Sequence, residues 1–63
     1  MQEEFVLKDD TGTVLDRRRI IYHLKPMAAA LTAEGKTGTI RGEWSGLELK
    51  ITPETTQAVW RNF

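Results

Sequence analysis

Apolar residues alternate with polar ones in two stretches of the chain and recur at helical spacing in two others, interleaved as strand, strand, helix, strand, strand, helix. Phe5-Val6-Leu7-Lys8 and Val14-Leu15 flank Asp9-Asp10-Thr11-Gly12-Thr13, an aspartate-led turn closed by glycine that predicts a hairpin with a three-residue loop. Continued regularly, that register sets Lys8 against Val14, Leu7 against Leu15 and Val6 against Asp16. It then sets Phe5 against Arg17, Glu4 against Arg18 and Glu3 against Arg19. Two arginines would thus face glutamates across the ladder, an arrangement that stabilises by roughly 0.2–1 kcal/mol per pair.

The second strand is predicted to run on to about Leu24, because adjacent isoleucines and a tyrosine favour extended backbone. The competing reading is a helix capped by Asp16, with Ile20, Ile21, Leu24, Met27, Ala28 and Leu31 on one stripe. Pro26 would stand inside such a helix and push Lys25 out of the helical region, so strand is preferred. A helix then opens with Pro26 in its first turn, continues through alanines and stops at Gly35.

Thr37 to Ile51 reads as a second hairpin. With Ser45-Gly46 as the turn, Trp44 faces Leu47, Gly42 faces Leu49 and Ile40 faces Ile51, which buries the tryptophan. That register also opposes Glu43 to Glu48 and Arg41 to Lys50. A slip that moves the turn to Trp44-Ser45 pairs Arg41 with Glu48 but leaves Trp44 in the loop, and is ranked second. Thr52-Pro53-Glu54 predicts a helix start, with Val59 and Phe63 four apart and Thr56, Trp60 and Phe63 lining the adjoining stripe of a last helix. The fold class is therefore α+β in ββαββα order, a mainly antiparallel four-stranded sheet with two short helices on one face. A small bent β-barrel with a C-terminal helix is the alternative.

Composition narrows the functions. Sixty-three residues form one domain with a thin core, and without cysteine no disulfide reinforces it. Association with another chain is one way for such a domain to bury more surface. One histidine and no thiolate argue against a structural zinc site, and no cofactor or metal is implied. The acidic start and the short apolar runs predict neither a secretory leader nor a membrane helix, and a cytoplasmic location is expected.

The nine basic and nine acidic side chains cancel, but not evenly along the chain. Residues 1–16 carry net −4 and residues 17–25 net +4, while the remainder is neutral. Phosphate neutralisation supplies most of the affinity of nucleic-acid binders, so zero net charge disfavours that class.

Catalytic motifs are not evident. His23 is the sole candidate base, and it falls among Ile21, Tyr22 and Leu24 with no nucleophile spaced to use it. Gly35-Lys36-Thr37 has the close of a phosphate loop, but Ala30 stands where that motif needs glycine. Gly35 and Gly38 have the spacing of an RNA-clamping G-x-x-G loop, yet a helix precedes this one and a strand follows it. Both reduce to a helix stop and a turn.

The reading that remains is a non-enzymatic interaction module that binds another protein or self-associates. Arg17, Arg19, Tyr22, Trp44, Trp60 and Phe63 are its candidate contact residues, being of the types enriched in interface hot spots. The alternative is a nucleic-acid surface made of Arg17, Arg18, Arg19, Tyr22, Lys25 and Lys36.

Overall fold

The computed structural model describes residues 3–61. Strands β1 (Phe5–Asp9), β2 (Val14–Arg18), β3 (Gly38–Gly42) and β4 (Glu48–Ile51) form an open antiparallel sheet in the order β2-β1-β3-β4. Helix α1 (Lys25–Ala33) joins β2 to β3, and α2 (Thr56–Arg61) follows β4. Because β1 is antiparallel to both neighbours, β2 and β3 point the same way and α1 is the crossover between them. The ββαββα expectation holds, and the sheet does not close into a barrel.

One face of the sheet is covered. Leu7, Ile40 and Ile51 meet Leu24 and Ala28 from the α1 side and Trp60 from α2. Phe5, Leu15, Ile21, Leu49 and Val59 pack around this cluster. Complete burial of a leucine or isoleucine contributes about 1.5–3 kcal/mol, so this group supplies most of the favourable energy of a small domain.

The first turn forms as predicted. Gly12 N–H donates to the Asp9 carbonyl (3.1 Å) and Asp9 N–H to the Thr13 carbonyl (3.0 Å). The Asp9 carboxylate accepts from the Thr11 hydroxyl at 2.6 Å and from the Thr11 and Thr13 N–H groups at 2.9 and 3.0 Å. Beyond Lys8–Val14 the register departs from expectation. A bulge inserts one extra residue, so Leu7 pairs with Asp16, Val6 with Arg17 and Phe5 with Arg18. A single inserted residue exchanges the faces of everything after it. Leu15 stays in the core, while Arg17 leaves the covered face for the open one.

β2 also ends earlier than the apolar pattern suggests. Arg18 is paired with Phe5, the first residue of β1, so no partner remains for a longer strand. Ile21–Leu24 forms a 3-10 turn instead, which carries Leu24 fully into the core. It leads directly into α1, and Lys25 keeps helical angles (φ −55, ψ −46) despite the proline after it. The local bias against that conformation is overridden by burial of Leu24. Pro26 stands in the first turn of α1, as expected.

The second hairpin adopts the register ranked second from sequence. Ile40 pairs with Leu49, Arg41 with Glu48 and Gly38 with Ile51. A two-residue Ser45-Gly46 turn of the hairpin type would require Ser45 to take positive φ. No residue other than glycine does so among the described residues. The chain forms a longer loop, closed by Gly42 N–H to the Leu47 carbonyl (2.9 Å), in which Gly46 alone is left-handed (φ 73). This register also replaces two like-charge oppositions with one Arg41–Glu48 pair.

Two threonines brace the turn that precedes the last helix, which begins at Thr56 rather than at the expected Pro53. Thr55 N–H donates to Thr52 Oγ1 (3.1 Å), and Thr52 N–H donates back to Thr55 Oγ1 (3.1 Å). Two N–H groups of the entry turn are satisfied reciprocally, in the manner of a capping box.

Candidate functional site

The face of the sheet away from the helices carries Val6 and Lys8 of β1, Arg17 of β2 and Arg41 of β3. Val6 is only 5% exposed there, although no helix lies over it. With Val14 and Trp44 these four residues line a hollow of about 430 Å³. Val14 (46% exposed) and Trp44 (61% exposed) are its large uncovered apolar groups.

Trp44 is held out by a braced turn. The Glu3 carboxylate accepts from Ser45 N–H (2.8 Å) and Trp44 N–H (3.0 Å). These bonds favour the ionised form, Ser45 foremost, and hold the Glu3 carboxyl below the usual glutamate range. Gly42 makes room for it, since a Cβ there would stand 2.7 Å from Glu3 Oε2 and 2.8 Å from Ser45 Oγ. Leu47 N–H donates to Ser45 Oγ (3.1 Å), and Glu43 N–H donates to the Glu4 carbonyl (3.1 Å). The tryptophan therefore projects from a turn fixed at several points.

Charges on this face are largely balanced. Arg17 Nη1 lies 3.1 Å from Glu4 Oε1 and 3.3 Å from Glu43 Oε1. Arg41 is opposite Glu48 across the ladder. Exposed pairs of this kind are worth about 0–1 kcal/mol each, so they orient side chains more than they stabilise the fold.

The expected pairing of Glu3 and Glu4 with the arginines is thus corrected in detail. Glu4 takes Arg17 rather than Arg18, and Glu3 braces the Trp44 turn rather than meeting Arg19. Arg18 Nε bonds to Asp16 at 3.1 and 3.3 Å. Arg19 lies past the end of β2 and is exposed. The one-residue bulge brings Arg17 to the face of Glu4, while the Glu3 contact follows from the β3–β4 turn lying beside the start of β1.

The candidate contact residues divide between two sides of the molecule. Arg17 and Trp44 share the open sheet face. Tyr22 and Trp60 meet on the helical side, with ring centroids 6.0 Å apart at 83°, an edge-to-face contact. Trp60 is 6% exposed and belongs to the core, whereas Trp44, expected to be buried opposite Leu47, is not. Phe63 lies outside the described residues. Val14, Arg41 and Glu3 were not singled out from sequence. Of these, only Arg41 had a signal, as the base between Ile40 and Gly42 on an amphipathic strand.

The alternative nucleic-acid set is split as well. Arg18, Tyr22 and Lys25 border one hollow with His23 and Pro26. Arg17 stands on the opposite face, and Lys36 lies by Glu34 at 3.7 Å. Lys25 Nζ is 3.2 Å from the Tyr22 hydroxyl and 5.2 Å from its ring centroid.

Among the described residues no group of three or more His, Cys, Asp or Glu side chains is placed to hold a metal ion. None of their helices is long and apolar enough to cross a membrane. No family model, curated protein or solved structure matches the chain.

Proposed function

We propose that the protein is a non-enzymatic interaction module whose open sheet face docks another protein chain, a second copy of itself included. One observation carries the reading: an exposed tryptophan on a turn fixed by the Glu3 carboxylate, beside a hollow edged by Val14, Arg17 and Arg41. Tryptophan and arginine dominate binding hot spots because each covers a large area, and a fixed turn lowers the entropy lost on docking. Near-balance of charge on this face suits a protein surface better than a phosphate backbone. The runner-up is nucleic-acid binding, supported by the hollow that Arg18, Tyr22 and Lys25 share. Arg17 and Arg18, with carboxylates beside them, offer it less free positive field.

Sedimentation of the purified chain, with pulldown through a tag, tests the main reading. The expected result is a complex heavier than one chain that is lost in Trp44→Ala. A strict monomer without partners in pulldown would contradict it. A mobility shift with mixed single- and double-stranded pools, weakening steeply with salt, would favour the runner-up.

A further inference from the structure

A second concavity lies between the helices, on the side of the molecule away from Trp44. It has a volume of about 720 Å³ and is bordered by Tyr22, Lys25, Ala29, Pro53, Trp60 and Arg61 among others. This is within the range of small-molecule sites, roughly 300–1,000 Å³. Its apolar part combines the largely buried Trp60, the Tyr22 ring set edge-on to it, and the small side chains Ala29 and Pro53, which leave the space unfilled.

The charges around it have one sign. Lys25 and Arg61 are the only ionisable residues besides Tyr22 among the described residues that border the cleft. Neither has a carboxylate within ion-pair distance among the described residues, where the ion pairs involve Arg17, Arg18 and Lys36. Lys25 is held by Tyr22 instead, through the phenol oxygen and the ring face. Its ammonium is positioned by a group other than a carboxylate. On the open sheet face Arg17 has two glutamates, while Lys8 and Arg41, like Lys25 and Arg61, have no ion pair among the described residues. What sets the cleft apart is that no acid borders it among them, whereas Glu43 borders the open hollow.

From this combination we infer that the α1–α2 cleft is a binding site for a small organic carboxylate, an aromatic or aliphatic body with one acid group. The body would lie against Trp60 and Tyr22, with the carboxylate toward Lys25 and Arg61. An apolar recess gives affinity for the body, and two cations with no carboxylate paired to them among the described residues select the anion by charge complementarity. The inference is independent of the docking role proposed for the opposite face.

The test is an NMR titration of the ¹⁵N-labelled protein at low ionic strength with 3-phenylpropionate and hexanoate, each beside its uncharged amide. The expected result is saturable shifts of the Trp60 indole N–H and of α1 and α2 amides with an acid, and about tenfold weaker binding of its amide. Lys25→Gln and Arg61→Gln should each weaken the acid several-fold while leaving the amide unchanged. Arg41→Gln, which removes a base from the other face, should leave both unchanged. Circular dichroism of each variant establishes that it is folded. No saturable shift with either acid would overturn the assignment. So would equal binding of acid and amide, or a loss in Arg41→Gln matching that in Lys25→Gln.

Discussion

The two tryptophans present a contrast between the two sides of the sheet. Trp60 is fixed by what packs on it, including Tyr22 and the buried aliphatic cluster. Trp44 is fixed only through its backbone, which Glu3 and the Gly42–Leu47 bond hold, while its indole stays in solvent. Removing the first ring should damage the fold, and removing the second should damage only what the fold presents. In a domain this small an apolar group left out of the core is a substantial forgone stabilisation. The covered face contributes stability, and the open face holds the surface available for association.

The largest effect that would test this contrast is on the covered face. Trp60→Ala and Leu24→Ala should each cost about 2–5 kcal/mol, much of the total stability of a small domain. Denaturant titration should find both variants largely unfolded in buffer. Trp44→Ala should shift the same transition by only about 0.5 kcal/mol or less. In acrylamide quenching, Trp60→Phe (leaving Trp44) should quench efficiently, and Trp44→Phe (leaving Trp60) poorly.

Next in size is the brace. Hydrogen bonds from Ser45 and Trp44 depress the Glu3 carboxyl, so the contribution of the ionised group is present above the unfolded pKa. It is lost as pH falls through the lower folded value. Amide signals of Trp44 and Ser45 should therefore move with acid while core signals hold. Glu3→Gln should remove that titration and loosen the turn without unfolding the sheet. The smallest effect belongs to the charged rim. Arg17→Ala should change stability by at most about 1 kcal/mol, measured by thermal melting at low and high salt.

How much of this was legible in the sequence depends on parity. In the second hairpin the realised register differs by a two-residue slip, which leaves the paired strand residues on their expected faces while Trp44 passes into the loop and out of the core. Leu49 and Ile51 are on the core side in either case. Turn chemistry decides the register there, because burying Trp44 would require a left-handed Ser45. In the first hairpin the bulge shifts the register by one, which reverses the faces of Arg17 and Arg18. No glycine or proline marks it, because Leu15 and Asp16 both tolerate the geometry. The end of β2 was hidden for a related reason: it follows from where β1 begins, a non-local fact. The start of α1, by contrast, was local chemistry in Pro26 and was readable, whereas α2 begins at Thr56, three residues after the expected Pro53, with residues 53–55 forming a turn before it. The candidate site was half legible, with Arg17 and Trp44 named but their common face concealed by the bulge in the first hairpin and the longer loop in the second. The partnership of Glu3 with the Trp44 turn spans some forty residues and left no local trace.

The role of Trp44 can be located directly with a photo-reactive side chain. Trp44→benzoylphenylalanine, irradiated in cells and compared with the same probe at exposed Glu54, reports which surface another chain touches. The account predicts a discrete cross-linked adduct from position 44 and little from position 54. No adduct at position 44, or adducts of equal yield at both positions, would contradict it.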